Sequence, residues 1–94
     1  MRTIKQVQIE PVFVETIPDV LEQRKIYISE KYGVSLHLCL CGCGEVVSLP
    51  FNNSRFSWTL TKSEKGISFT PSVGNYSYPC KSHYIITDNT ANFV

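Results

Sequence analysis

Two short stretches of the chain carry thiols at spacings that could hold a metal ion. The first is the run Cys-Leu-Cys-Gly-Cys-Gly at 39–44, and the second is Pro-Cys-Lys-Ser-His at 79–83. Together they hold all four cysteines of the sequence. Thiolates grouped in this way are typical of a tetrahedral zinc site. The sequence therefore predicts one Zn2+ with the ligands Cys39, Cys41, Cys43 and Cys80. Buried thiols or disulfides are the alternative.

The glycines in the first stretch could let the chain bring distant thiols to one metal ion. In a straight strand, Cys39 and Cys43 would lie about 13 Å apart, because alternate residues are separated by roughly 6.6 to 6.8 Å. Two ligands of one zinc ion lie within about 4 Å of each other. Gly42 and Gly44 can adopt the positive φ angles that reverse the chain. We therefore expect the backbone to curl at these glycines and bring the thiols together.

Five potential ligands compete for four places around the ion. If all four cysteines bind, His83 is left to do other chemistry. If His83 binds through its Cys-x-x-His spacing from Cys80, Cys39 is the thiol that drops out. We favour the four-cysteine set, and the choice decides whether His83 can act as a base.

Length and charge restrict the classes of function. The 94 residues suffice for one domain, 1–94, with a modest core that a metal ion would stabilise. The net charge of +1, without runs of like charge, argues against nucleic acid and anionic membranes as partners. The sequence shows neither a signal peptide nor an apolar span of membrane length. With clustered cysteines, which suit a reducing compartment, this predicts a cytoplasmic protein.

The elements that must position these residues are short strands. Alternating apolar residues and frequent turn signals predict a mainly β fold of seven or eight strands, a zinc-stapled sandwich or partly open barrel. Residues 4–14 are predicted to form one edge strand bent at Pro11. Residues 20–21 are predicted to form a single helical turn. Residues 71–75, rich in turn formers, are predicted to form a loop.

The strand that leads into the first cysteine stretch is the most important. Its even positions, 34 to 40, are aliphatic and are predicted to face the core. His37 and Cys39 would then lie on the opposite face. His37 is interpreted as a half-exposed strand histidine close to the metal site, and as a reserve ligand or base.

Four sequence pieces resemble a bacterial family of small domains of unknown function. They are His-Leu-Cys-Leu-Cys-Gly-Cys-Gly at 37–44, Trp-Thr-Leu at 58–60, Pro-Ser-Val-Gly-Asn at 71–75 and Pro-Cys-Lys-Ser-His-Tyr-Ile at 79–85. The resemblance extends from about Ile26 to the C-terminus, with Leu40 where a proline or small turn former is expected. It implies an association with bacterial ubiquitin-like conjugation operons. A ubiquitin-like protein or its conjugating enzymes would be the partner, and a peptidase role in processing or removing that protein is implied.

A serine hydrolase is the first functional hypothesis, with His83 as the base and a structural zinc ion. Ser72 is the better nucleophile, because its glycine-containing loop could offer N–H groups to an oxyanion. Ser82 is adjacent to His83, but consecutive side chains of a strand point to opposite faces. Glu45 or Asp88 could orient the histidine.

Two alternatives use the cysteines differently. In a zinc hydrolase, three protein ligands would leave a place for water and Glu45 would be the base. Sites rich in thiolate are more often closed and structural. In the other alternative, a non-catalytic zinc module binds a protein partner through its aromatic residues.

Overall fold

The computed structural model describes residues 6–51, 58–74 and 81–94, and these residues contain strands but no helix. The described residues form nine strands, one or two more than predicted. They are β1 (Gln6–Gln8), β2 (Glu10–Phe13), β3 (Lys25–Ser29), β4 (Val34–Leu38), β5 (Val46–Pro50), β6 (Thr59–Ser63), β7 (Gly66–Gly74), β8 (His83–Thr87) and β9 (Thr90–Phe93).

The strands form two sheets, which confirms the mainly β prediction. The five-stranded sheet has the order β1-β9-β8-β7-β6, and the four-stranded sheet has the order β2-β3-β4-β5. All pairs are antiparallel except β2 with β3. Neither sheet closes into a barrel, so the two-sheet form of the prediction is the one observed.

The N-terminal segment contributes an edge strand to each sheet. The chain leaves β1 at Ile9, whose N–H donates to the carbonyl of Asn89, and enters β2, where the N–H of Glu10 donates to the carbonyl of Arg24. The predicted single bent strand is therefore two edge strands in different sheets. Pro11 lies in β2 at a sheet edge, where a missing N–H is tolerated.

One apolar cluster draws on both sheets and fills the space between them. Its fully buried members include Ile26 and Ile28 of β3, and Phe69, Tyr84 and Ile86 of the five-stranded sheet. The thiol side chain of Cys39 belongs to the same cluster. The cysteine stretch therefore begins inside the hydrophobic core.

The predicted core face is wrong for Val34, Leu36 and Leu38, whereas Leu40, which lies beyond the end of β4, is buried in the core as predicted. Ser35, His37 and Cys39 are fully buried, whereas Val34, Leu36 and Leu38 are half-buried. The polar face of the strand meets the other sheet, and the His37 ring lies 6.2 Å from that of Tyr84. The aliphatic face belongs to the outer side of the four-stranded sheet, where Leu36 pairs with Tyr27.

Two local predictions also fail. Residues 71–74 continue strand β7 and pair with β8, so the predicted loop is strand up to Gly74, and residues 75–80 lie outside the described part. The pairing register shifts between Phe69 and Val73, and Pro71 lies within this irregularity. A proline lacks the N–H of a regular ladder but is tolerated at a bulge. Residues 20–21 form no helical turn.

Candidate functional site

The first cysteine stretch forms a tight loop, 39–45, between β4 and β5. The N–H of Cys39 donates to the carbonyl of Glu45 at 2.7 Å, and the N–H of Gly42 donates to the carbonyl of Cys39 at 3.0 Å. Gly42 has φ +94° and Gly44 has φ +91°. Both angles lie in the region that favours glycine. The predicted curl is therefore confirmed, and this segment is called the cysteine loop below.

The cysteine loop gathers three thiols into one cluster. The sulfur atoms of Cys39, Cys41 and Cys43 all lie within 4.8 Å of one another. Those of Cys39 and Cys41 are 3.4 Å apart, well beyond the S–S bond length of about 2.05 Å. Cys39 is buried, Cys41 half-buried and Cys43 exposed. Three thiolates in reach of one point can hold a metal ion, and soft sulfur ligands suit zinc.

Cys80 and His83 are the other two potential ligands. Cys80 lies outside the described residues. Among the described residues, the group that could hold a metal contains Cys39 and not His83. The imidazole of His83 is instead directed to a serine.

Ser72 and His83 lie side by side on neighbouring strands of the five-stranded sheet. Nε2 of His83 is 2.6 Å from Oγ of Ser72. His83 pairs with Gly74 across β7 and β8, and Ser72 lies two residues from Gly74 on the same face. The imidazole therefore reaches diagonally across the ladder to the hydroxyl. Both residues are half-buried, so the pair is open to solvent.

The backbone at Ser72 is held by an aromatic side chain from the start of β6. Nε1 of Trp58 donates to the carbonyl of Ser72 at 3.3 Å. The register shift before Val73 leaves this part of β7 irregular, and Trp58 fixes it from the side opposite β8. The premise that Ser72 lies in a glycine loop is wrong, because the residue is part of a strand.

Ser82, the other predicted nucleophile, has a different neighbour. Its Oγ lies 3.1 Å from the sulfur of Cys39 in the cysteine loop. Ser82 therefore contacts a buried thiol of the cysteine loop, whereas the next residue, His83, contacts Ser72. The two serines thus have different contacts: Ser82 contacts a thiol, and Ser72 contacts an imidazole.

The two predicted orienting carboxylates are placed apart from each other. Asp88 follows the far end of β8, where its N–H donates to Oγ of Ser68. A five-residue strand separates it from His83 by about 16 Å, so its predicted orienting role is wrong. Glu45 closes the cysteine loop with its backbone carbonyl.

A buried histidine lies behind this site. His37 is fully buried, and its Nε2 is 2.8 Å from the hydroxyl of Tyr84. Burial lowers the pKa of His37 to about 4, which keeps the ring neutral at neutral pH. The interpretation of a half-exposed histidine is wrong. Tyr84 was not predicted from the sequence as a site residue, and the structure shows it fully buried against His37.

Comparison with known proteins identifies the family. Residues 13–94 match the model of the BubE family, described as the bacterial ubiquitination-like system serine protease. The chain belongs to this family. Neither the curated proteins nor the solved structures gave a match. The match confirms the resemblance to a domain associated with bacterial ubiquitin-like conjugation. The BubE description also fits a site that contains a serine beside a histidine.

The described residues include no helix long and apolar enough to cross a membrane.

Proposed function

We propose that this BubE-family chain is a serine peptidase that cleaves the bond after a ubiquitin-like protein, with Ser72 as nucleophile and His83 as base. The single observation that carries the proposal is the 2.6 Å distance between Oγ of Ser72 and Nε2 of His83. A serine hydroxyl needs a base within about 2.6 to 3.2 Å to attack a carbonyl at neutral pH. The half-buried position of the pair lets an extended chain reach it.

Acylation would use the pair in the usual order. The hydroxyl of Ser72 donates its proton to Nε2 of His83 while Oγ attacks the carbonyl carbon of the scissile amide. The protonated imidazole then gives this proton to the departing nitrogen, and the C–N bond breaks. The leaving chain departs as an amine, and the ubiquitin-like protein remains as an ester on Ser72.

Deacylation would return the enzyme to its starting state. Nε2 of His83 takes a proton from a water molecule, whose oxygen attacks the ester carbon. The proton then passes to Oγ of Ser72 as the ester bond breaks. The products are a free C-terminal carboxylate and the original hydroxyl.

The three thiols of the cysteine loop fit a zinc site that supports this pair. Cys80 is proposed as the fourth ligand, and the contact between Ser82 and Cys39 supports it, since Ser82 follows Cys80 by only two residues. When bound, Zn2+ would supply a structural cross-link between the cysteine loop and the start of β8. His83 keeps its imidazole for Ser72 in this arrangement.

The partner follows from the family. Because BubE members are described as serine proteases of a ubiquitination-like system, the substrate class is a ubiquitin-like protein with an extension or conjugate at its C-terminus. A peptide bond and an isopeptide bond present the same carbonyl to Ser72, so the chemistry serves either maturation or removal.

The test is cleavage of a C-terminally extended ubiquitin-like protein from the same conjugation system. We expect wild-type protein to release the extension, and Ser72→Ala and His83→Ala to lose this activity with one zinc per chain retained. Ser68→Ala is a matched control, because it removes a β7 hydroxyl that accepts from Asp88 at the far end of β8. Activity that survives in Ser72→Ala but not in Glu45→Gln would support the zinc-hydrolase alternative. Binding without cleavage by the wild type would support the non-catalytic zinc module.

A further inference from the structure

Ser82, which directly precedes β8, and the first two residues of β8 make three contacts with different parts of the molecule. Oγ of Ser82 lies 3.1 Å from the sulfur of Cys39, Nε2 of His83 lies 2.6 Å from Oγ of Ser72, and the Tyr84 hydroxyl lies 2.8 Å from Nε2 of His37. The outer two contacts point into the space between the sheets, and the middle one points away from it. His83 is therefore flanked by two inward contacts.

Both inward contacts end on residues of one short segment, His37 and Cys39. His37 is in β4 and Cys39 is the first residue after it, while Tyr84 is in β8 and Ser82 is the last residue before it. Strand β4 and the cysteine loop that follows it thus hold the beginning of β8 at two points, one on each side of His83. Both receiving residues are fully buried. A buried anchor moves less than a surface contact, because close packing leaves no space for rearrangement.

The position of β8 sets the reach of the histidine. His83 contacts Ser72 diagonally across a ladder whose register is irregular between Phe69 and Val73. The ladder alone therefore constrains this distance less than a regular one would. A shift of about 1 Å in a reacting group can cost about 100-fold in rate.

We propose, resting on the proposed function, that Ser82 and Tyr84 are positioning residues that hold His83 at hydrogen-bond distance from Ser72. Neither side chain touches the substrate. Ser82 fixes β8 to the cysteine loop, and Tyr84 fixes it to His37. In this arrangement the buried polar face of β4 serves the geometry of the nucleophile as well as the packing of the core.

The experiment measures how fast Ser72 reacts with a small alkyl fluorophosphonate. In this reaction Oγ of Ser72 bonds to phosphorus, fluoride leaves, and the hydroxyl proton passes to His83. We expect Tyr84→Phe and Ser82→Ala each to slow labelling about tenfold, and the double variant about 100-fold. Ser82→Thr, which keeps the hydroxyl, restores the rate. With the ubiquitin-like substrate, kcat falls and KM stays unchanged.

Matched controls separate positioning from stability. Tyr27→Phe removes the hydroxyl of a buried tyrosine of β3, which accepts from the N–H of Glu22, and Ser68→Ala removes a hydroxyl of β7, in the same sheet as β8. Both should lower the melting temperature as much as the test variants do, yet keep wild-type labelling. The imidazole 15N shifts of His83 should lose their hydrogen-bonded values only in Tyr84→Phe and Ser82→Ala, with zinc content constant throughout.

The outcomes distinguish this inference from the proposed function. A wild-type protein that takes no label overturns both. A wild type that is labelled at Ser72, with Tyr84→Phe and Ser82→Ala labelled at the same rate and with unchanged His83 shifts, overturns the inference alone. Loss of labelling in Tyr27→Phe as well would show a general effect of stability and would also overturn it.

Discussion

The cysteine loop and the Ser72–His83 pair lie on opposite sides of the start of β8 and are held in different ways. The thiols of the loop come from five consecutive residues and meet because two glycines reverse the chain. The serine and the histidine come from separate strands and meet because a sheet pairs those strands. The first assembly is local and suits a metal ion, whereas the second depends on the completed fold. Changes to the cysteine loop and changes to the Ser72–His83 pair should therefore have different measurable effects.

Removal of the metal should have the largest effect. Structural zinc contributes about 10 to 16 kcal/mol of binding free energy in small domains, comparable with or above the roughly 5 to 15 kcal/mol that stabilises a domain. We expect a chelator, with a reductant present, to abolish the cooperative melting transition seen by circular dichroism. Added zinc should restore it. An identical melting curve before and after chelation would contradict a structural metal site.

Replacement of the nucleophile should abolish activity without affecting the fold. We expect Ser72→Ala to lower the cleavage rate by at least about 1,000-fold, because removal of a serine nucleophile can cost about a million-fold in kcat. The melting temperature should stay near the wild-type value, because the half-buried hydroxyl supports no core packing. Steady-state kinetics measures the cleavage rate, and calorimetry measures the melting temperature. A large fall in melting temperature would mean that Ser72 is structural.

Replacement of the base should separate catalysis from metal binding. In His83→Gln we expect a loss of cleavage close to that of Ser72→Ala, with the zinc content still one ion per chain by elemental analysis. The physical reason is that His83 stands outside the thiol group and contacts Ser72. If zinc content fell together with activity, His83 would be a ligand and the proposed function would lose its base.

A change at a loop glycine should weaken the metal site alone. Gly42→Ala adds a methyl group that has no atom of the described residues within 4 Å, apart from its chain neighbours, so we assign its cost to the φ angle of +94°. That backbone cost is about 1 to 2 kcal/mol. We expect zinc affinity, measured by competition with a chelator, to fall roughly tenfold, since about 1.4 kcal/mol is a factor of ten. Fluorophosphonate labelling of the zinc-loaded variant should be unchanged.

The smallest effect is expected at Glu45. Its backbone carbonyl closes the cysteine loop and its side chain is exposed, so Glu45→Gln should change neither cleavage nor melting. Comparison of the two proteins in one assay suffices. A fall in activity with intact zinc would indicate that this carboxylate acts as a base.

Features set by neighbouring residues could be predicted from the sequence. The curl of the cysteine loop follows from the impossibility of joining alternate thiols in a straight strand, and Gly42 and Gly44 mark where it occurs. Strand β8 ends where its β-branched residues give way to a turn former, Asp88. The mainly β class follows from many short alternating segments, which left the sandwich and the partly open barrel both possible.

Features set by distant partners could not be predicted. Aliphatic residues mark one face of β4, yet the buried face is the one that holds His37, because its partner Tyr84 lies in another sheet. Pro71 and Gly74 indicated a loop, but pairing with β8 extends the strand through them. The meeting of Ser72 with His83 depends on that same pairing, so the sequence supported it only as a hypothesis.

The most direct test of the central claim is peptide mapping by mass spectrometry after fluorophosphonate treatment of the zinc-loaded protein. The account predicts one adduct per chain, located on Ser72, and no adduct in His83→Ala. An adduct on Ser82, or an unmodified wild-type protein, would contradict it.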